Sequence, residues 1–384
     1  MKRFYVIVAV FWFAQYIYVP FLSPYLVLLG IPASIVGIVA GSYGFTQMAL
    51  RIPLAVGGSI RGNHKFYIGA GLVAVAASCV LPLLSQSWVF FLLMRMLAGI
   101  ASATWVSYSA YLLEAGGEGA SRSMGYLMAA YAVGVCSAQA AGTAFYRQLG
   151  EMEGMRAIFL AAVFTSLAGF ALLLATPFRR RAEGEARAAF TKQSFFEVLK
   201  NWHLWRCSML ASILMWILFS TNYSFTGVYA QERLGAGALP LGLITIICQL
   251  AAFGTSFAIG RAKGALPEKR LLLAGFALFA LYCALQPYSA LAPLLLLQIV
   301  CGVAYSLLNV LLLASAGREL SKDQQLLAMG VFQSLYSIGM TAGPAVTGAV
   351  LERSGGHFPL VFLVLAAIAL GGFAWTAKSR GLAQ

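Results

Sequence analysis

Arg51 and Arg95 are the only charged side chains placed well inside the long apolar runs of this 384-residue chain. A guanidinium at mid-membrane costs at least ~2.5–3.5 kcal/mol on insertion scales, so it normally faces protein or water and marks a pathway. Arg51 lies about six residues from the end of its run and can snorkel to that end. Arg95 lies about seven residues from the opposite end of its own run. Held in a cavity, its planar fork favours an anionic or zwitterionic solute. All twelve acidic residues fall in loops or at run ends. That argues against carriage of organic cations, whose desolvation needs a buried negative charge. It also leaves proton coupling without an obvious carrier. Glu114, which ends the run carrying Arg95, is the first candidate.

Polar side chains gather on single faces of four runs. Gln15 and Tyr18 share one face, and Arg95, Ser102, Trp105 and Ser109 another. Trp216, Ser220 and Tyr223 repeat the pattern, as do Gln298, Gly302, Tyr305 and Asn309. Bonding between helices explains any one of these alone. Together, rich in amides and aromatics and free of acids, they describe a broad cavity for a small organic molecule, with Gln47, Gln139, Gln249 and Gln333 at its rim. The three histidines and six cysteines show no metal spacing, so no metal or cofactor is expected. Convergent acids, paired histidines or an activated nucleophile, which a membrane enzyme needs, are also lacking. No phosphate-binding Gly-Lys-Ser/Thr loop occurs, which removes ATP as the direct energy source. A non-transporting receptor or scaffold stays open as a reading of another class, although no sizeable soluble domain accompanies the runs.

The elements that position these residues are apolar runs of membrane length. The chain is 61% hydrophobic and 10% charged, against roughly 25% charged in soluble domains. Twelve spans are expected, at 4–29, 34–57, 66–85, 88–113, 123–146, 157–177, 204–228, 240–260, 270–287, 290–314, 326–351 and 358–377. Most reach the ~17–25 residues of a spanning helix. The net charge of +14 is topogenic: with both termini inside, twenty of the twenty-six Lys and Arg fall in cytoplasmic loops and ends. A nucleic-acid partner is thereby disfavoured, and the chain is placed as a multi-pass protein of the cytoplasmic membrane. Met1-Lys2-Arg3 and the run behind it are read as the first helix, because that run is too long for a signal peptide.

A polar connection at 179–203 separates six spans at 1–178 from six at 204–384. It opens on Arg179-Arg180-Arg181 and closes on Ser194 to Lys200, which has the pattern of a short amphipathic helix on the membrane surface. The halves echo each other at an offset of 205 residues: Gly30 with Gly235, Gly37 with Gly242, Gly134 with Gly339, and Gly150 with Gly355. Small residues at helical spacing allow close helix approach where lipid offers no hydrophobic drive. Pro20, Pro24 and Pro344 mark expected bends.

Two sets of six spans, the basic central loop and the internal repeat resemble the major facilitator superfamily over essentially the whole chain. Arg95-Met96-Leu97-Ala98-Gly99-Ile100-Ala101-Ser102-Ala103 is similar to that family's fourth-span Arg-x-x-x-Gly-x-x-x-Ala pattern. Gly339 to Gly343-Pro344 resembles its antiporter motif, here displaced from the fifth span to the eleventh. The loop at Ala55 to Lys65 keeps Gly62 and Lys65 of the family signature, with Ser59 about where its Asp belongs. The resemblance implies an all-α fold of two six-helix bundles related by pseudo-two-fold symmetry, with the first, fourth, seventh and tenth spans lining a central cavity. It implies a secondary active transporter working by alternating access as a monomer, exporting a small organic molecule at the expense of protons. Uptake or facilitated transport of a small anionic or zwitterionic metabolite is the alternative. Substrate contacts are expected from Gln15, Tyr18, Arg95, Ser102, Trp105, Trp216, Tyr223, Gln298, Tyr305 and Asn309. Coupling or gating is expected from Glu114, Arg51, Gly62, Gly343 and Pro344.

Overall fold

The computed structural model describes residues 2–61, 63–116, 120–178, 192–262 and 267–379. Sixteen α-helices follow one another, and no strand occurs among the described residues. They are α1 Lys2–Tyr16, α2 Val19–Leu28, α3 Ala33–Arg61, α4 His64–Leu84, α5 Trp88–Ala103, α6 Trp105–Gly116, α7 Ala120–Leu149 and α8 Glu151–Leu174. Then come α9 Lys192–Lys200, α10 Trp202–Ser220, α11 Thr226–Leu234, α12 Ala238–Arg261 and α13 Glu268–Leu285. The last three are α14 Leu291–Ala316, α15 Lys322–Arg353 and α16 Phe358–Lys378. The amphipathic stretch expected before Lys200 is α9.

Among the described residues, eleven helical stretches are long and apolar enough to span a bilayer. The one other expected span, the eleventh at 326–351, lies in α15, which has the length at 32 residues but is more polar. Ser334, Ser337 and Thr347 are buried in protein there, and glycines carry its helix contacts. A helix covered by its neighbours does not need the apolar surface of one that meets lipid.

The helices divide into two compact units. One comprises Met1–Val19, Ser42–Trp202 and Leu320–Ser334. The other comprises Pro20–Gly41, His203–Glu319 and Leu335–Gln384. In the first, α1 packs on α7 and α8, and α4 on α5 and α8. Added Cβ atoms at Gly134 and Gly142 would collide with the carbonyls of Ala9 and Ile17, so α7 meets α1 and the residue beyond it almost backbone to backbone. In the second, α12 packs on α14, and α13 on α14 and α16. Gly37 and Gly41 of α3 meet the carbonyls of Pro344 and Thr341 on α15, and Gly348 meets that of Ala33. Without hydrophobic drive between helices, such close dispersion contacts supply much of the association.

The internal repeat has a backbone cause. Gly30 and Gly235 have φ of 75° and 62°, and Gly150 and Gly355 have φ of 81° and 65°. Each lies where one helix gives way to the next, in the left-handed region that residues with a Cβ avoid. Among the positions kept in register across the two halves are therefore chain reversals that require glycine.

Candidate substrate site

Among the described residues, three spans are interrupted partway along their length. The first, Lys2–Leu28, breaks at Ile17 and Tyr18. Pro20 lacks the N–H that would bond the Tyr16 carbonyl, and its ring crowds that oxygen. The fourth, Trp88–Leu112, breaks at Thr104, whose N–H and hydroxyl both turn to the Ala101 carbonyl. This back-bonding is one way Thr weakens the regular ladder. The seventh, Trp202–Leu234, contains a π-helical segment at Thr221–Phe225, closed by the Thr226 N–H on the Thr221 carbonyl. π-bulges are frequent at functional sites, and interrupted spans free backbone and side-chain polar groups for a bound solute.

Residues named from sequence flank the first two breaks and meet within the first unit. The Gln15 amide donates to the Ala98 carbonyl at 2.9 Å and to Ser102 Oγ at 3.2 Å. Ser102 Oγ also shares a 2.6 Å hydrogen bond with the Tyr43 hydroxyl. Arg95 is 7% exposed and stacks its guanidinium over the Tyr43 ring, 4.4 Å from the centroid. One of its terminal nitrogens donates to the Tyr18 hydroxyl at 3.5 Å, while Nε is buried with no hydrogen-bond partner. Among the described residues no carboxylate pairs with Arg95. Gly99 admits the α3 backbone here, since a Cβ would collide with the Tyr43 carbonyl and Thr46 Oγ1. Trp105, half-buried just past the Thr104 break, joins a group of rings. Trp12 lies 5.2 Å from Trp105 and 4.8 Å from Tyr131, both edge to face, and Tyr16 lies 5.5 Å from Trp12.

In the second unit the π segment presents Asn222, whose amide donates to Gln298 Oε1 at 2.9 Å and to the Ile244 carbonyl at 3.2 Å. The Tyr282 hydroxyl donates to the same Gln298 oxygen at 3.2 Å, and the Gln298 amide donates to the Leu294 carbonyl at 2.9 Å. Gln298 is thus a fully buried junction holding the seventh, ninth and tenth spans. Asn222 Oδ1 and Gln286 Nε2 are buried without hydrogen-bond partners. Tyr223 accepts from the Gln249 amide at 3.3 Å and packs its ring 5.0 Å from Phe219. Trp216, Tyr305 and Asn309 are half-buried, on α10 and α14.

The gating candidates fall differently. Arg51 is buried, bonded to Gln47 Oε1 at 2.6 Å and to Gln333 Oε1, rather than snorkelling. Gly343 lies against the backbone of Trp216, with a hypothetical Cβ 2.8 Å from its carbonyl oxygen. Pro344 sits inside α15, which continues through it, and its carbonyl lies where a Cβ on Gly37 would collide with it. The Glu114 side chain and Gly62 lie outside the described residues. Sequence reasoning passed over Trp12, Tyr16, Tyr43, Tyr131 and Asn222. Asn222 carried a signal, as an amide inside an apolar run between two residues of an identified polar face. Tyr43 carried none, because an aromatic in a spanning helix is common.

The Major Facilitator Superfamily profile matches residues 4–264 and 241–380. The inner membrane transport protein YajR of Escherichia coli (strain K12) is 24% identical over 342 residues, 87% of this chain and 73% of that protein. Among solved structures, the nucleoside transporter NupG aligns over 99% of both chains with a TM-score of 0.77 at 16% identity. A bacterial homologue of the human lysosomal transporter Spinster aligns over 99% of this chain and 95% of its own, with a TM-score of 0.73 at 14% identity. The human organic anion transporter MFSD10 aligns over 98% of both chains with a TM-score of 0.68 at 16% identity. The chain belongs to the major facilitator superfamily: it is an all-α, multi-pass membrane protein with that family's two-bundle fold, a secondary transporter and not an enzyme.

Proposed function

We propose that this protein exports a small organic solute from the cytoplasm by alternating access, driven by protons, with residues beside the three span interruptions meeting the solute. The coincidence of those interruptions with polar and aromatic side chains carries the reading: Gln15 and Tyr18 at the first, Ser102 and Trp105 at the second, Tyr223 at the third. Bundles of 1–178 and 204–384, joined by 179–203, are the bodies that move. The protein acts as a monomer in the cytoplasmic membrane with both termini inside, an orientation supported by the distribution of Lys and Arg. Glu114, ending the span of Arg95, is the carboxylate we assign to coupling. Export and proton coupling rest on the family resemblance.

A specific observation favours a second reading. Arg95 is buried without a carboxylate among the described residues, which suits uptake of a small anionic or zwitterionic metabolite. The test is counterflow in proteoliposomes with labelled nucleosides and labelled organic anions, the solute classes named for two structural neighbours. Exchange that saturates and is accelerated by solute on the far side supports a carrier. Flux that neither saturates nor responds to solute on the far side rules it out. Comparing everted with right-side-out vesicles then decides between export and uptake.

A further inference from the structure

A groove on the first unit lies apart from the three interruptions. Its cavity volume is ≈ 640 Å³, and Lys65, Phe66, Val73, Tyr111, Phe170 and Phe178 are among the residues that line it. It follows α4 from His64 to Ala74. Eleven residues at 1.5 Å each give about 16 Å, close to one leaflet of a ~30 Å hydrocarbon core. Phe66 is 63% exposed, Val73 46% and Leu174 61%, so the groove opens where a spanning bundle meets lipid.

One end is cationic. The Lys65 ammonium donates to the carbonyls of Leu174 at 3.1 Å and Thr176 at 2.9 Å, which fixes it at the end of α8. An ammonium has three donors, so one remains available. Arg3 donates to the Ala175 carbonyl at 3.4 Å beside it. Phe178, the last lining residue, is followed directly in sequence by Arg179-Arg180-Arg181. The described lining residues include no carboxylate.

We propose that this groove binds a phospholipid with an anionic headgroup, the phosphate on Lys65 and an acyl chain along α4. A basic end joined to a leaflet-deep apolar channel matches the two parts of such a lipid. The experiment reconstitutes the full chain into vesicles of phosphatidylethanolamine and phosphatidylglycerol, releases it into detergent, and counts retained lipid by native mass spectrometry. Wild type should retain phosphatidylglycerol over phosphatidylethanolamine. Lys65→Gln should lower phosphatidylglycerol occupancy about fivefold, equivalent to ~1 kcal/mol per basic residue near an anionic surface. Because Lys65 also caps α8, a second variant is needed. Ala70→Trp fills the exposed groove without touching the charge and should lower occupancy of both lipids. Equal retention of the two lipids by wild type, or unchanged phosphatidylglycerol occupancy in either variant, would overturn the proposal.

Discussion

Replacing Arg95 separates a solute-binding role from a structural one, because the structure gives the two roles different magnitudes. A guanidinium inside a span costs ~2.5–3.5 kcal/mol to insert. Its stack on Tyr43 at 4.4 Å offsets ~2 kcal/mol in a desolvated setting. The Tyr18 contact, at 3.5 Å, is at the limit of hydrogen bonding and adds less than ~1 kcal/mol. These terms nearly cancel, so Arg95→Ala should change unfolding stability by about 1 kcal/mol or less. A guanidinium locked in a buried ion pair would instead cost ~3–5 kcal/mol to remove. A solute carboxylate bonded to Arg95 should lose ~1.5–3 kcal/mol, or roughly 10–150-fold in affinity. Arg95→Lys keeps the charge but loses the planar fork, so it should fall between. The assay is counterflow in proteoliposomes at matched protein content, with thermal unfolding of the same preparations. Undiminished counterflow by Arg95→Ala, or its failure to accumulate as folded protein, would refute the reasoning.

Further outcomes follow from single contacts. Asn222→Leu removes the donor to Gln298 and should destabilise the protein by ~1–3 kcal/mol; thermal unfolding at the wild-type temperature would show that the π segment is not held this way. Glu352 accepts the Ser34 N–H at 2.9 Å, and hydrogen bonding from Ser34 holds its carboxyl below the usual range. A depressed carboxyl stabilises above its unfolded pKa and loses that contribution as pH falls through the native value. The stability difference between wild type and Glu352→Gln should therefore be full at neutral pH and shrink as pH falls below the unfolded glutamate value of about 4.3. A pH-independent difference in melting temperature would contradict it. Reporter fusions should place the loop at Gly184 inside and that at Gly150 outside; a fusion after Gly184 active only outside would overturn the topology.

The architecture was legible because membrane helices announce themselves by length and hydropathy, and because backbone geometry ties glycines such as Gly30 and Gly235 to turns. The eleventh span was legible in position but not in character: its glycines and hydroxyls are contact surface, which composition alone cannot distinguish from loop. Of the interruptions, the first was foreshadowed by Pro20. The break at Thr104 and the π segment at Thr221–Phe225 left no local signature, since both depend on which carbonyl a Thr side chain or N–H selects after packing. The faces holding Gln15, Ser102 and Arg95 followed from helical periodicity. Tyr43, which meets Ser102 and Arg95, and Tyr131, which packs on Trp12 and Trp105, did not, because pairing between distant helices is set by tertiary contact rather than by spacing.

The most direct test of the account is accumulation of a transported solute in everted vesicles under an imposed pH gradient, with and without Glu114→Gln. Uphill accumulation that collapses with the gradient, and that Glu114→Gln abolishes while leaving downhill counterflow intact, is the predicted result. Accumulation that ignores both the pH gradient and the membrane potential would contradict proton-driven export. Accumulation that follows the gradient but survives Glu114→Gln would leave export standing and refute the assignment of the carrier.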